Sequence, residues 1–259
     1  STATQPGFEN LSNVREIIPD PTQLYAALQR TKIEIPVDRQ KKYSWEKLAE
    51  ELSEHERVLC IVNTRRDCKD LYALMPEGTY HLSASMCPAH RLKIINIIKN
   101  KLQEGVTPLR VISTQLVEAG VDIDFPVVYR AFTGLSSIVQ SAGRCNREGK
   151  LPELGFVKVF MPPKASPPGI LRKTEDVMHS LLAAQVNTDS LESYKLFFQK
   201  FYSSINKDGK EFKIWLEQDA RKMQIQFREA SAAFKIIDDK ATVSVIVLYD
   251  DSEKLIAEL

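Results

Sequence analysis

The stretch RVLCIVNTRRDCKDLYALM, residues 57–75, decides the fold. Its first half is an unbroken apolar run, Val58, Leu59, Cys60, Ile61 and Val62, with none of the alternation of a strand that wets one face. Such a run predicts a strand covered on both sides. Its second half changes to helical spacing through Cys68, Leu71, Tyr72 and Met75. A doubly covered strand leading directly into a helix is the repeating unit of a parallel sheet, because a parallel neighbour requires the chain to return across the sheet face.

The same alternation extends in both directions. YSWEKLAEELSEHE puts Trp45, Leu48 and Leu52 on one helical face. TYHLSA predicts a second strand, and CPAHRLKIINIIKNKLQEG a helix with Pro88 near its start, Ile94, Ile97 and Ile98 on its face and Gly105 at its end. LRVIST and PVVYRAF predict two more strands, SSIVQSAGR a helix and GFVKVFM a fifth strand. The predicted architecture is an α/β domain over residues 32–162, a parallel sheet sandwiched by helices. Residues 1–31, including VREIIP, and the piece KIEIP after them, read as a linker or an entering edge strand. Four prolines in PPKASPPG, residues 162–169, break the pattern. Residues 163–259 then read as a helical linker and the beginning of a C-terminal domain. EDVMHSLLAAQV, SLESYKLFFQKFYSSI and EFKIWLEQDARKMQIQF predict helices, and ATVSVIVLY a late strand. A late strand cannot satisfy its backbone alone, so it either joins the helical part through a small local sheet or, the favoured reading, belongs to a chain cut short.

Composition narrows the classes. With 43% hydrophobic and 27% charged residues among 259, the chain reads as an ordinary globular protein. Thirty-five Lys and Arg against 34 Asp and Glu leave a net charge of +1, so a polyanion site has to be local. The sequence has no membrane-spanning run and no signal-peptide pattern at its start, which predicts a cytoplasmic protein without a membrane partner. The 4 cysteines include no C-x-x-C pair and the 4 histidines no H-E-x-x-H, so neither a disulfide framework nor a metal site built by this chain is expected.

Two stretches carry chemistry. VISTQLVEAGVDIDF, residues 111–125, ends a buried strand in Ser113 and Thr114, where open α/β sheets place ligands, then turns at Gly120 into Asp122 and Asp124. By itself it is either a strand-end turn or a functional loop, and alternation lets at most one of its two aspartates face a site. QSAGRCNREGK, residues 140–150, carries Arg144 and Arg147 at the end of a short helix, either as cations facing the dipole or as phosphate ligands. Together they predict one sheet edge with a carboxylate for a ribose-like hydroxyl and two guanidinium groups for a polyphosphate.

STQLVEAGVDIDF and QSAGRCNREG resemble the fifth and sixth motifs of superfamily-two helicases. With HLSASMCPAHR and IVNTRRDC before them, the chain resembles the CRISPR-associated helicase-nuclease of type I systems over residues 30–165. The later FREASAAFKIIDD and VSVIVLY are similar to the start of that family's C-terminal domain. The resemblance implies the second RecA-like motor lobe. It makes Arg144 and Arg147 arginine fingers on the γ-phosphate of ATP held with magnesium by the other lobe, and Gln140 and Gly143 part of the same motif. Gly120 and Asp122 would meet the nucleotide. Thr114, together with Asn63, Thr64, Arg65, His81, Ser83 and Arg91, would contact single-stranded DNA.

Departures from the family pattern define the expected partners. The chain has no G-x-x-x-x-G-K-[ST], no acidic magnesium motif after a buried strand and no His-Asp nuclease signature. The partners implied are therefore a first RecA-like lobe, a His-Asp nuclease domain, single-stranded DNA and a CRISPR surveillance complex, with this fragment inactive alone. Two other readings stand beside it. One is an RNA helicase lobe, although Gln140 and Ser141 stand where those begin with His-Arg. The other is an interaction module that docks a surveillance complex or an inhibitor.

Overall fold

A computed structural model describes Arg15 and residues 17–205, 212–218, 221–223, 226–234, 243 and 245–257. The chain divides into two compact units, Ser1–Phe201 and Tyr202–Leu259. In the first unit six strands form one sheet in the order β1-β6-β5-β2-β4-β3. They are β1 (Thr31–Glu34), β2 (Arg57–Val62), β3 (Tyr80–Leu82), β4 (Leu109–Thr114), β5 (Val127–Ala131) and β6 (Gly155–Phe160). Every pairing is parallel. The helices of this unit are α1 (Pro21–Ala27), α2 (Trp45–Ser53), α3 (Arg65–Tyr72), α4 (Pro88–Gln103), α5 (Leu135–Ala142), α6 (Ile170–Ala183) and α7 (Leu191–Ser203).

β2 shows why its sequence is apolar without alternation. Val58, Cys60 and Val62 face one layer with Trp45, Leu48 and Leu52 of α2 and Cys68 and Leu71 of α3. Leu59 and Ile61 face the opposite layer with Ile98 of α4 and Val117, Val121 and Phe125 of the segment after β4. The sheet is thus a filled sandwich, and the parallel α/β fold expected from residues 57–75 is the one formed.

KIEIP begins within the outer strand β1, the entering edge strand that was one of the two expected readings. Three elements differ from the expectation. Helix α1, within the expected linker, begins on Asp20, whose carboxylate accepts from the Gln23 N–H at 2.8 Å, with Pro21 at its first position. Helices α6 and α7, placed by sequence beyond the lobe, share an apolar cluster with it: Val177, Met178, Leu181, Tyr194 and Phe197 pack with Phe132, Leu135, Ile138 and Val159. The compact unit therefore runs through residues 163–201, because these two helices bury apolar faces that the sheet and α5 leave open. Finally, the expected strand ATVSVIVLY has no ladder among its described residues, Val243 and Val245–Tyr249. An extended segment becomes a strand only when a neighbour accepts its backbone. Ala241, Thr242 and Ser244 of that stretch lie outside the described residues, as do residues 1–14 and 16, which include Val14 and Glu16 of VREIIP. Of the helix expected over 211–227, Ile214–Gln218 forms a π-helical turn, while 211, 219–220 and 224–225 lie outside the described residues. Among the described residues no helix is long and apolar enough to cross a membrane.

Candidate nucleotide and nucleic-acid sites

The chain winds outward from β2 in both directions, so the β4 to β5 connection passes from one side of β2 to the other. It does so without a full helix. Thr114 ends β4, a single 3-10 turn follows at Gln115–Val117, and the remainder runs along the face to Phe125, which pairs with Cys145 ahead of β5. Thr114 therefore sits at the carboxyl edge of the sheet, while Asp122 and Asp124 lie at its amino edge. The expectation that one edge gathers Thr114, Asp122 and both arginines is corrected by this connection, which spans the sheet instead of turning back.

At the amino edge the arginine turn is built by residues around it. The Phe125 N–H donates to the Arg144 carbonyl at 2.9 Å, and the Asn146 N–H returns a bond to the Phe125 carbonyl at 3.0 Å. Asn146 adopts φ 45° and is buried, its amide donating to the Arg30 and Glu153 carbonyls at 3.1 and 3.3 Å. Asp124 accepts the backbone N–H groups of Arg147 and Glu148 at 2.8 and 3.1 Å. This arrangement projects the Arg147 side chain outward, where it is 44% exposed and ion-paired with Asp122, itself 71% exposed. Gly120, at φ +73° with open space where a side chain would be, makes the turn that leads to Asp122. Gln140 is half-buried on α5. Gly143 caps α5 at φ −65°, so it is not the left-handed stop expected of a helix-ending glycine; Asn146 and Gly149, at φ 65°, take those conformations.

Arg144 differs from Arg147. It is 9% exposed, and its Nε and one terminal nitrogen donate to the Val117 and Glu118 carbonyls at 2.6 and 2.8 Å. Two carbonyls freed by the short 3-10 turn need donors, and Arg144 supplies them. Its guanidinium is committed to holding the crossing segment against α5 rather than directed outward. Burial, with Arg147 nearby, lowers its pKa.

At the carboxyl edge several predicted contacts are also committed within the fold. Thr64 caps α3: its hydroxyl donates to Asp67 at 2.7 Å and accepts the Asp67 N–H at 3.0 Å. Asn63 is 8% exposed, and its amide nitrogen donates to the Phe132 carbonyl at 2.8 Å and to Ser166 and Glu175 at 3.2 Å. Ser83 is fully buried, accepting the Ser85 N–H at 3.2 Å, and Thr114 is nearly so. Arg65 is exposed, while His81 and Arg91 are half-buried. The His81 ring lies 5.3 Å from that of Tyr72, and burial lowers its pKa, His90 adding to the effect. The structure thus leaves Arg65, His81 and Arg91 facing outward or part-way, and turns Asn63, Thr64, Ser83 and Thr114 inward.

Sequence reasoning missed Arg130, Glu118, Glu175 and Asn146. Arg130 is fully buried in β5, its Nε 3.0 Å from Glu118 Oε1, while its terminal nitrogens donate to Asn63 Oδ1 at 2.6 Å and to the Ser137 hydroxyl at 3.0 Å. Its signal was present: a charge in the apolar run PVVYRAF has no solvent to face and needs a partner inside.

Residues 54–150 match the family model of the CRISPR-associated nuclease/helicase Cas3, C-terminal. A CRISPR-associated nuclease/helicase Cas3 from Haloferax volcanii is 40% identical over 76 residues, 28% of this chain and 8% of that protein. Residues 54–150 are thus similar to a Cas3-type helicase C-terminal region, and the chain spans a small part of the length of the relatives it matches. The T. fusca Cas3 crystal structure with AMPPNP aligns with TM-score 0.49 at 21% identity, covering 75% of this chain and 25% of that one. A CRISPR RNA-guided surveillance complex in a pre-nicking state gives TM-score 0.48 at 19% identity, covering 75% and 27%. The Cas3-type match begins in the loop before β2 and ends at Lys150, just past the arginine turn, so it holds both edges described above.

Proposed function

We propose that this chain is the second RecA-like lobe, with part of a C-terminal region, of a longer cytoplasmic ATP-dependent helicase-nuclease that moves along single-stranded DNA in CRISPR antiviral defence. The observation that carries this reading is the Asp122–Arg147 pair, exposed beside a turn fixed by Asp124 and Asn146. A guanidinium held on a fixed backbone turn, its exposed tip paired with an exposed carboxylate, suits a group that must meet a phosphate presented by another domain.

ATP with magnesium fits half a site here. Asp122 and Gly120 would border the nucleotide and Arg147 would meet its terminal phosphate. The cradle for the phosphates has no counterpart in this sequence, so a first lobe would supply it. When bound, the metal ion neutralises charge on the transferring phosphoryl group. Closure of the two lobes would exchange the Asp122 partner of Arg147 for phosphate. Arg144 would serve that step from behind, holding Val117 and Glu118 so that the loop carrying Gly120 and Asp122 keeps its place. Single-stranded DNA would cross the carboxyl edge past Arg65, His81 and Arg91, contacts to a backbone that need few cations. A nuclease domain and a surveillance complex would complete the assembly, and the lobe alone would not turn over ATP.

Arg147→Ala in the full-length protein tests the assignment. ATP hydrolysis should fall by about 10³ or more, the range of an arginine finger. A rate within a few fold of wild type would refute it.

A further inference from the structure

The carboxyl ends of β2, β4 and β5 meet where the strand order reverses, the place at which open α/β sheets leave a crevice for ligands. Here that crevice is filled by side chains. Arg130, with no exposed surface, donates to Asn63 Oδ1 at 2.6 Å, to the Ala131 carbonyl at 3.1 Å and to Ser137 at 3.0 Å. The Ser137 hydroxyl donates to Glu118 at 2.7 Å, and the Ser141 hydroxyl donates to the same carboxylate at 3.1 Å. Asn63 in turn reaches Glu175 of α6.

Each partner of Arg130 belongs to a segment with a separate job. Asn63 immediately precedes Thr64 and Arg65 at the carboxyl edge. Glu118 lies two residues before Gly120 and four before Asp122, and its own carbonyl is held by Arg144. Ser137 and Ser141 are on α5, whose end becomes the arginine turn. A planar guanidinium with donors fixed in one fork can satisfy these groups in only one mutual arrangement, so a shift of one segment has to be answered by the others.

We propose that Arg130, paired with Glu118, is a positioning residue that couples the nucleic-acid edge of the lobe to its nucleotide edge. Movement of the Asn63–Arg65 turn when a strand binds reaches the Asp122 loop and the arginine turn through this buried guanidinium rather than across the surface. The proposal rests on the reading of this chain as half of an ATP-driven motor.

The test measures coupling in the full-length protein: the affinity for an oligo(dT) single strand, with and without a non-hydrolysable ATP analogue. In the wild type the two affinities should differ by about tenfold, an ordinary allosteric factor. In Arg130→Lys, which keeps the charge and loses the fork, the ratio should fall to within about twofold of one, while affinity without nucleotide stays within about threefold of wild type. A structural role alone would move both affinities together and leave the ratio intact. Should Arg130→Lys not fold, the double variant Arg130→Met, Glu118→Met removes both buried charges at once and is expected to fold and to show the same lost ratio. An unchanged ratio in a folded variant, or a wild-type ratio of one, overturns the proposal. Arg147→Ala run in parallel separates the two readings: retained ATP hydrolysis there sinks the motor assignment, whereas lost hydrolysis with an unchanged Arg130 ratio sinks only the coupling.

Discussion

Two arginine–carboxylate pairs in this lobe have the same chemistry and opposite surroundings. Arg130 and Glu118 are 0% and 8% exposed, and every polar neighbour of the pair is part of the fold. Arg147 and Asp122 are 44% and 71% exposed, and the pair touches the fold chiefly through the backbone turn that carries the arginine. In the interior, both charges have lost their water, so each depends on the other and neither can leave. At the surface, solvent replaces either partner at little cost, so the arginine can leave its aspartate for a stronger anion. The buried pair therefore specifies an arrangement, while the exposed pair leaves its arginine able to exchange partners.

That contrast makes opposite forecasts for substitutions. Arg147→Ala should leave the chain's melting temperature unchanged, since exposed pairs contribute at most about 1 kcal/mol, while removing ATP hydrolysis in the full-length protein. A large loss of stability would mean that the surface pair is structural after all. Arg130→Met alone should do the reverse to stability, costing about 3–5 kcal/mol in denaturant unfolding because Glu118 is left buried without its cation. If the single variant unfolds like wild type, Glu118 has found water or another donor, and the two pairs are not distinct.

Smaller effects sharpen the comparison. Gly134 starts α5 under α6 and α7, and a Cβ there would lie 2.7 Å from the Thr174 Cβ and 2.9 Å from the Phe197 ring. Gly134→Ala should therefore destabilise by about 1–3 kcal/mol through overpacking, and calorimetry would show whether α6 and α7 are part of the lobe's cooperative unit. Asp122→Asn should change stability by less than about 0.5 kcal/mol, and any effect should vanish at high salt. The smallest effect is on pH dependence. Burial holds the His81 pKa below its ordinary value. The unfolded chain then takes up a proton near pH ~6.5 that the folded chain resists, so the contribution of His81 is full above that pH and declines as pH falls through it. Melting curves between neutral and mildly acidic pH should show this decline, and His81→Gln should reduce it in part, since burial lowers His55 and His179 in the same direction.

The legible parts of the sequence were those in which local pattern and tertiary environment ask for the same residues. β2 had to be apolar on both faces to lie between α2 and α4, and its sequence shows that. α1 was missed because its seven residues, PTQLYAA, bury nothing and so carry no apolar stripe; Asp20 and Pro21 were its only marks. The late strand was overread from β-branched residues whose described positions find no partner. The motif residues were found by type, but their roles divided on packing. Thr64 and Asn63, expected to face DNA, are bonded within this chain, Thr64 capping α3 and Asn63 accepting from Arg130. Arg144, expected to reach outward with Arg147, donates instead to the Val117 and Glu118 carbonyls.

The sequence by itself determined that this chain makes a parallel α/β lobe and marked residues 111–125 and 140–150 as its candidate site segments, because hydrophobic period and residue type are local properties. Only the tertiary structure decided which arginine points outward and which one locks the fold. That choice depends on the β4 to β5 connection, where one 3-10 turn replaces a helix, leaves the Val117 and Glu118 carbonyls in need of donors and brings Arg144 within reach of them.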